Sequence, residues 1–263
     1  MAEYSKIEWC DGTWNPWRGC DPISCGCLHC YMAREMRRYG RDPWVVTRSK
    51  TTFYDPLRWK EPKLIFTCSW SDFFIEEADV WRPEAWDIIR RTSQHTYQIL
   101  TKRPQRIFGH LPSDWPLANV WLGVTVENRH QGLPRVDILR NIPAAVRFIS
   151  AEPLLEDLGK VDLEGIDWVI IGGESGARAR RMQPAWARSL RDLCLAQNVP
   201  VFFKQWGHYD QDGNAVGKKK AGRLLDGREW NDMPRAIALC SICTVYFHFR
   251  SLTLSGANKL CCL

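Results

Sequence analysis

The sequence has no long hydrophobic run. None of its apolar stretches approaches the ~20 residues of a membrane-crossing helix. Its first ten residues, MAEYSKIEWC, are too polar for an apolar targeting segment. The expected location is therefore cytoplasmic, with no membrane partner. In that reducing compartment clustered cysteines read as metal ligands rather than disulfides. Acidic residues are missing from 235–263, which carry Arg235, Arg250 and Lys259. That stretch holds Cys240 and Cys243 as CSIC, but no second CxxC at zinc-finger spacing accompanies it. It reads as an atypical cysteine-rich tail appended to a single domain over 1–234. A net charge of +6 permits nucleic-acid binding without arguing for it.

Against these absences stands a regular rhythm. Six short apolar runs end in polar or small residues: KLIFTCSWSD from Lys63, YQILTKRP from Tyr97, NVWLGVTVEN from Asn119, VRFISAEP from Val146, WVIIGGESG from Trp168 and VFFKQWG from Val201. Unbroken runs of this length suit strands buried on both faces of a parallel sheet. Helical patterns lie between several of them. RPEAWDIIRRT places Ala85, Trp86, Ile88 and Ile89 together behind Pro83, and QPAWARSLRDLCLAQN repeats the arrangement behind Pro184. Alternation of this kind predicts an α/β fold, either a partial or complete parallel (β/α) barrel or, as the alternative, a doubly wound open parallel sheet.

The polar residues gather at the carboxyl ends of the runs, the edge where α/β folds bind ligands. They include Ser71, Asp72, Thr101, Lys102, Glu127, Asn128, Glu152, Glu174, Ser175, Lys204 and Gln205. Glu127, Glu152 and Glu174 end three consecutive runs. Either they converge on one cavity, as a general base or a binding group, or each is paired with a basic neighbour for structural reasons.

The densest feature is WNPWRGCDPISCGCLHCYM, Trp14 to Met32, with cysteines at 20, 25, 27 and 30. Three thiolates on one loop ahead of a helix suit a cuboidal iron–sulfur cluster. Zinc is the rival, with Cys25 or a remote ligand completing the set. A group of plain free thiols is the third reading.

These residues carry a resemblance. TWNPWRGC…GCLHCY, PLRWKEP, SWSDFF, LTKRP, WLGVTVEN, ISAEPL, GGESG, FFKQWG and LDGREWNDMP together resemble, in order and up to Pro234, a phage and prophage family named after gene products 37 and 68 of a mycobacteriophage. That family is a domain of unknown function. It is similar in turn to the radical S-adenosylmethionine (SAM) enzymes, which hold a 4Fe–4S cluster on three cysteines near the start of a partial barrel. The resemblance implies Cys20, Cys27 and Cys30 as the cluster ligands. The spacing here is six residues then two, rather than the usual three then two, and GGE ends a late strand rather than the second.

On this first reading the chain is a radical-SAM-like enzyme that needs a reductant. Lys102, Glu127, Glu152 and Lys204 form its catalytic set. Ser71, Asp72, Thr101, Asn128, Gly172, Gly173, Glu174 and Ser175 hold SAM, and a nucleic acid or nucleotide is the substrate class. The second reading is a non-catalytic zinc- or cluster-stabilised nucleic-acid-binding protein, whose basic contacts include GKKKAGR at 217–223. Converging carboxylates separate the two, since a binding module has no need for three acids that would repel phosphates.

Overall fold

The computed structural model describes residues 3–176 and 178–234; the cysteine-rich tail expected beyond Pro234 lies outside them. Its main sheet has seven strands: β1 (Gly12–Trp14), β4 (Leu64–Thr67), β5 (Thr96–Thr101), β6 (Val120–Thr125), β7 (Val146–Ala151), β8 (Trp168–Gly172) and β9 (Val201–Gln205). They lie side by side in that order, and all pair in parallel. A separate antiparallel pair joins β2 (Trp17–Arg18) to β3 (Thr47–Arg48).

The apolar runs become strands because both faces of the sheet are covered. β6 and β8 are buried along their whole lengths. One face carries the alternate residues Leu122, Val124, Ile149, Val169, Ile171 and Phe203, packed with Trp86, Ile89, Leu139 and Leu190 from the helices. These helices are α2 (Arg82–Arg91), α3 (Arg129–Arg140) and α4 (Pro184–Ala196). The other face carries Phe66, Trp121, Phe148, Trp168 and Phe202, closed by Trp9 from the amino-terminal segment. Several tryptophans thus serve as packing mass in edge-to-face contacts, such as Trp121 on Trp168 at 6.1 Å. Two shorter helices, α1 (Tyr31–Arg38) and α5 (Lys218–Ala221), lie outside the β–α alternation.

The expected (β/α) barrel is corrected here. The sheet curls like half a barrel, but its edges stay 16 Å apart. Among the described residues β1 and β9 make no ladder with each other, so the sheet is open. That is closer to the open parallel sheet held as the alternative. The strand order runs in one direction, and α2, α3 and α4 all pack into one cluster on one face.

Candidate functional site at the carboxyl edge of the sheet

The loop after β2 carries the four cysteines and folds back over the carboxyl ends of β4 to β8. At one end Gly19 donates its N–H to Trp70 O at 3.1 Å, and Ser71 Oγ donates to Gly19 O at 2.5 Å. In its middle, a Cβ on Gly26 would sit 2.9 Å from Glu127 Oε1. Glycine there lets the loop backbone rest directly on the end of β6. Toward its exit His29 Nδ1 lies 3.1 Å from Glu174 Oε2, and the Tyr31 hydroxyl donates to Ser69 O.

Each strand-end acid is satisfied within the protein. Asp72 accepts from Thr101 Oγ1 at 2.6 Å, from the Lys102 and Phe74 N–H groups at 2.9 Å, and from Arg103 Nη1 at 3.3 Å. Glu127, fully buried, accepts from Arg135 Nη1 at 2.6 Å and from the Ser24 hydroxyl. Burial pushes the Glu127 carboxyl up, but the charges of Lys102 and Arg135 and the Ser24 bond outweigh it and hold it below the usual carboxylate range. Glu152 receives Lys204 Nζ at 2.7 and 2.9 Å. Glu174 is gripped by Arg180 through Nη2 at 2.6 Å, Nε at 3.0 Å and the backbone N–H at 2.7 Å. Burial again works upward, and the Arg180 and His29 bonds override it, so this carboxyl also lies low.

The remaining expected site residues fill structural places in the same network. Asn128 caps α3, accepting from Gln131 N at 2.7 Å, while its Nδ2 donates to Cys25 Sγ at 3.0 Å. Ser175 Oγ accepts from Gln205 Nε2 at 3.0 Å. A Cβ on Gly172 would lie 3.3 Å from the Glu152 carboxyl carbon, and one on Gly173 only 1.9 Å from Trp206 O, so the ends of β8 and β9 meet closely. The structure therefore brings the strand-end residues and the cysteine loop to one edge. At that edge Glu127, Glu152 and Glu174 are each paired with a cation. Sequence reading missed Arg180, Arg135 and Ser24, whose partners lie 6, 8 and 103 positions away and follow no strand-end rule.

The cysteines are free thiols with separate partners. Cys20 lies 3.8 Å from Arg103 Nη1, Cys25 faces Asn128, and Cys27 Sγ lies 3.7 Å from Ser24 Oγ. Burial, reinforced by Asp72 and opposed by Arg103, pushes the Cys20 thiol up to about 12. Among the described residues no group of three His, Cys, Asp or Glu side chains is placed to hold a metal ion. The 4Fe–4S and radical-SAM labels expected on Cys20, Cys27 and Cys30 are corrected to this extent: among the described residues the three thiols are not drawn together into a metal-holding group. Glu174 of GGE, expected among the residues that hold SAM, is paired with Arg180 and His29.

The segment that contains the cysteine loop is also basic. Residues 18–50 carry seven Lys and Arg side chains against Asp21, Glu35 and Asp42. Arg34 and Arg38 share Glu35, and Arg48 pairs with Glu84. Arg18, Arg37, Arg41 and Lys50 form no ion pair among the described residues. Arg18 is half-buried; burial and, after it, the Arg41 charge hold its guanidinium below the ordinary arginine value. Trp44, 41% exposed, carries the Arg37 guanidinium 5.2 Å from its ring centre.

Among the described residues no helix is long and apolar enough to cross a membrane. No curated protein and no solved structure matches the chain. One family model does match, over residues 4–234, and its description is "Protein of unknown function (DUF5131)". The chain belongs to that family.

Proposed function

We propose that the chain is a nucleic-acid-binding protein whose residues 18–50 receive the sugar–phosphate backbone. One contrast supports this above all. At the sheet edge every acid has its own cation or donor, whereas Arg18, Arg37, Arg41 and Lys50 have no acid among the described residues. Two guanidinium groups held together without a carboxylate repel each other. A phosphate between them relieves that repulsion and gains charge-assisted hydrogen bonds. The neutralised edge no longer opposes an incoming polyanion, which removes the objection that converging carboxylates raised. In this reading the cysteine loop and its acids form the scaffold that carries the basic segment, and catalysis is not needed to explain them.

The test is fluorescence anisotropy of a labelled mixed-sequence 20-mer at low salt. The wild type binds it, and Arg37→Glu/Arg41→Glu weakens binding by tenfold or more with an unchanged circular-dichroism spectrum. Absence of wild-type binding, or a charge reversal without effect, overturns the reading.

A further inference from the structure

The strand β3 and the turn after it border an open groove of about 620 Å³, lined by Thr47, Arg48, Lys50, Tyr54 and Trp81 among others. It adjoins the basic segment along the chain. Its polar rim is specific. Arg48 lies 4.0 Å from the Phe53 ring centre, donates to the Tyr54 hydroxyl oxygen at 3.1 Å and pairs with Glu84 at 2.6 Å, so its guanidinium is already used. Lys50 is exposed and forms no ion pair among the described residues. Glu84 also accepts from the Tyr54 hydroxyl. The groove thus has aromatic residues in its wall, one neutralised arginine at its rim and one free ammonium.

We infer that this groove receives unpaired bases of a single-stranded nucleic acid whose phosphates follow Arg37, Arg41, Arg18 and Lys50. The inference rests on the nucleic-acid reading and adds strand type to it. The volume exceeds what one base needs and falls within the range of small-ligand clefts. Aromatic walls next to cations are the means by which proteins hold single strands, because every base has a stacking face. A base held in a duplex cannot leave its stack to enter a groove without cost. Charge complementarity selects the polyanion, and the groove selects the unpaired form.

The experiment compares one labelled 20-mer as a single strand and as a duplex, on the wild type, Thr47→Trp, Tyr54→Phe and Tyr54→Ser. Thr47 is exposed, so tryptophan there fills the groove without removing a cation; the exposed Tyr54 tests the wall. The wild type is expected to prefer the single strand by about tenfold, the scale of one stacked base. Thr47→Trp and Tyr54→Ser lose that preference, Tyr54→Phe keeps it, and all three retain duplex affinity. Equal wild-type affinity for single strand and duplex, or a preference that survives both Thr47→Trp and Tyr54→Ser, overturns the groove assignment and leaves nucleic-acid binding standing. If neither form binds the wild type, both fall.

Discussion

Glu127 shows how the edge is built one residue at a time. Its carboxylate is fully buried and lives on Arg135, Ser24 and the Lys102 charge. Removing Arg135 leaves a buried charge without its hydrogen-bonded partner, which typically costs about 3–5 kcal/mol. Arg135→Met should therefore lower the urea midpoint sharply, and Arg135→Met/Glu127→Leu should recover much of the loss. A midpoint unmoved by Arg135→Met would show that the pair does not hold the edge. The same groups set the acid limit. Glu127 and Glu174 have folded values depressed below the ordinary 4.5, and Arg106 and Arg82 overcome burial to bring Asp79 from 3.8 to about 2. A depressed carboxyl stabilises the fold above its unfolded value and stops doing so as pH falls through its folded value. Melting temperature should hold steady down to about pH 5 and drop progressively toward pH 2. Rising stability over that interval would contradict these assignments.

At the scale of elements, β6 and β7 depend on one close approach. A Cβ on Gly123 would lie 2.5 Å from the Phe148 ring, so Gly123→Ala overpacks a buried layer and should cost about 1–3 kcal/mol in urea unfolding. Phe148→Leu added to it should restore part of that. The six strands were legible because a sheet covered on both faces writes itself as unbroken apolar runs, and α2 and α4 because proline opens an amphipathic pattern. α3 was not legible. RHQGLPRVDILR carries Gly132 and Pro134, which read as breakers, whereas a Cβ on Gly132 would meet Val126 Cα at 2.7 Å. Its helix is glycine-bearing because it packs tightly on the end of β6. Barrel closure was not legible either, since it depends on whether β1 and β9 meet, and no local pattern encodes a gap between residues so far apart.

Across the whole molecule, the site residues were legible as positions but not as partners. The strand ends and the cysteine loop do come to one edge, as the polar endings implied. The pairings that decide their chemistry join Ser24 to Glu127, His29 to Glu174 and Glu152 to Lys204, and such distant contacts leave no periodic trace. Those pairings give each strand-end acid a cation of its own. The net charge of +6 then matters less than its placement, because Arg18, Arg37, Arg41 and Lys50 share one segment and form no ion pair among the described residues. Binding through them is electrostatic and releases counterions, so it weakens with salt.

The most direct measurement is the salt dependence of oligonucleotide affinity in the wild type and in Arg18→Ala/Arg37→Ala/Arg41→Ala/Lys50→Ala. Four phosphate contacts on a single strand give a log–log slope of about −3, at ~0.7 per contact. That slope should be seen in the wild type and collapse toward zero in the variant, with circular dichroism unchanged. A wild-type affinity that ignores salt, or a slope the fourfold variant leaves intact, would contradict nucleic-acid binding through this surface.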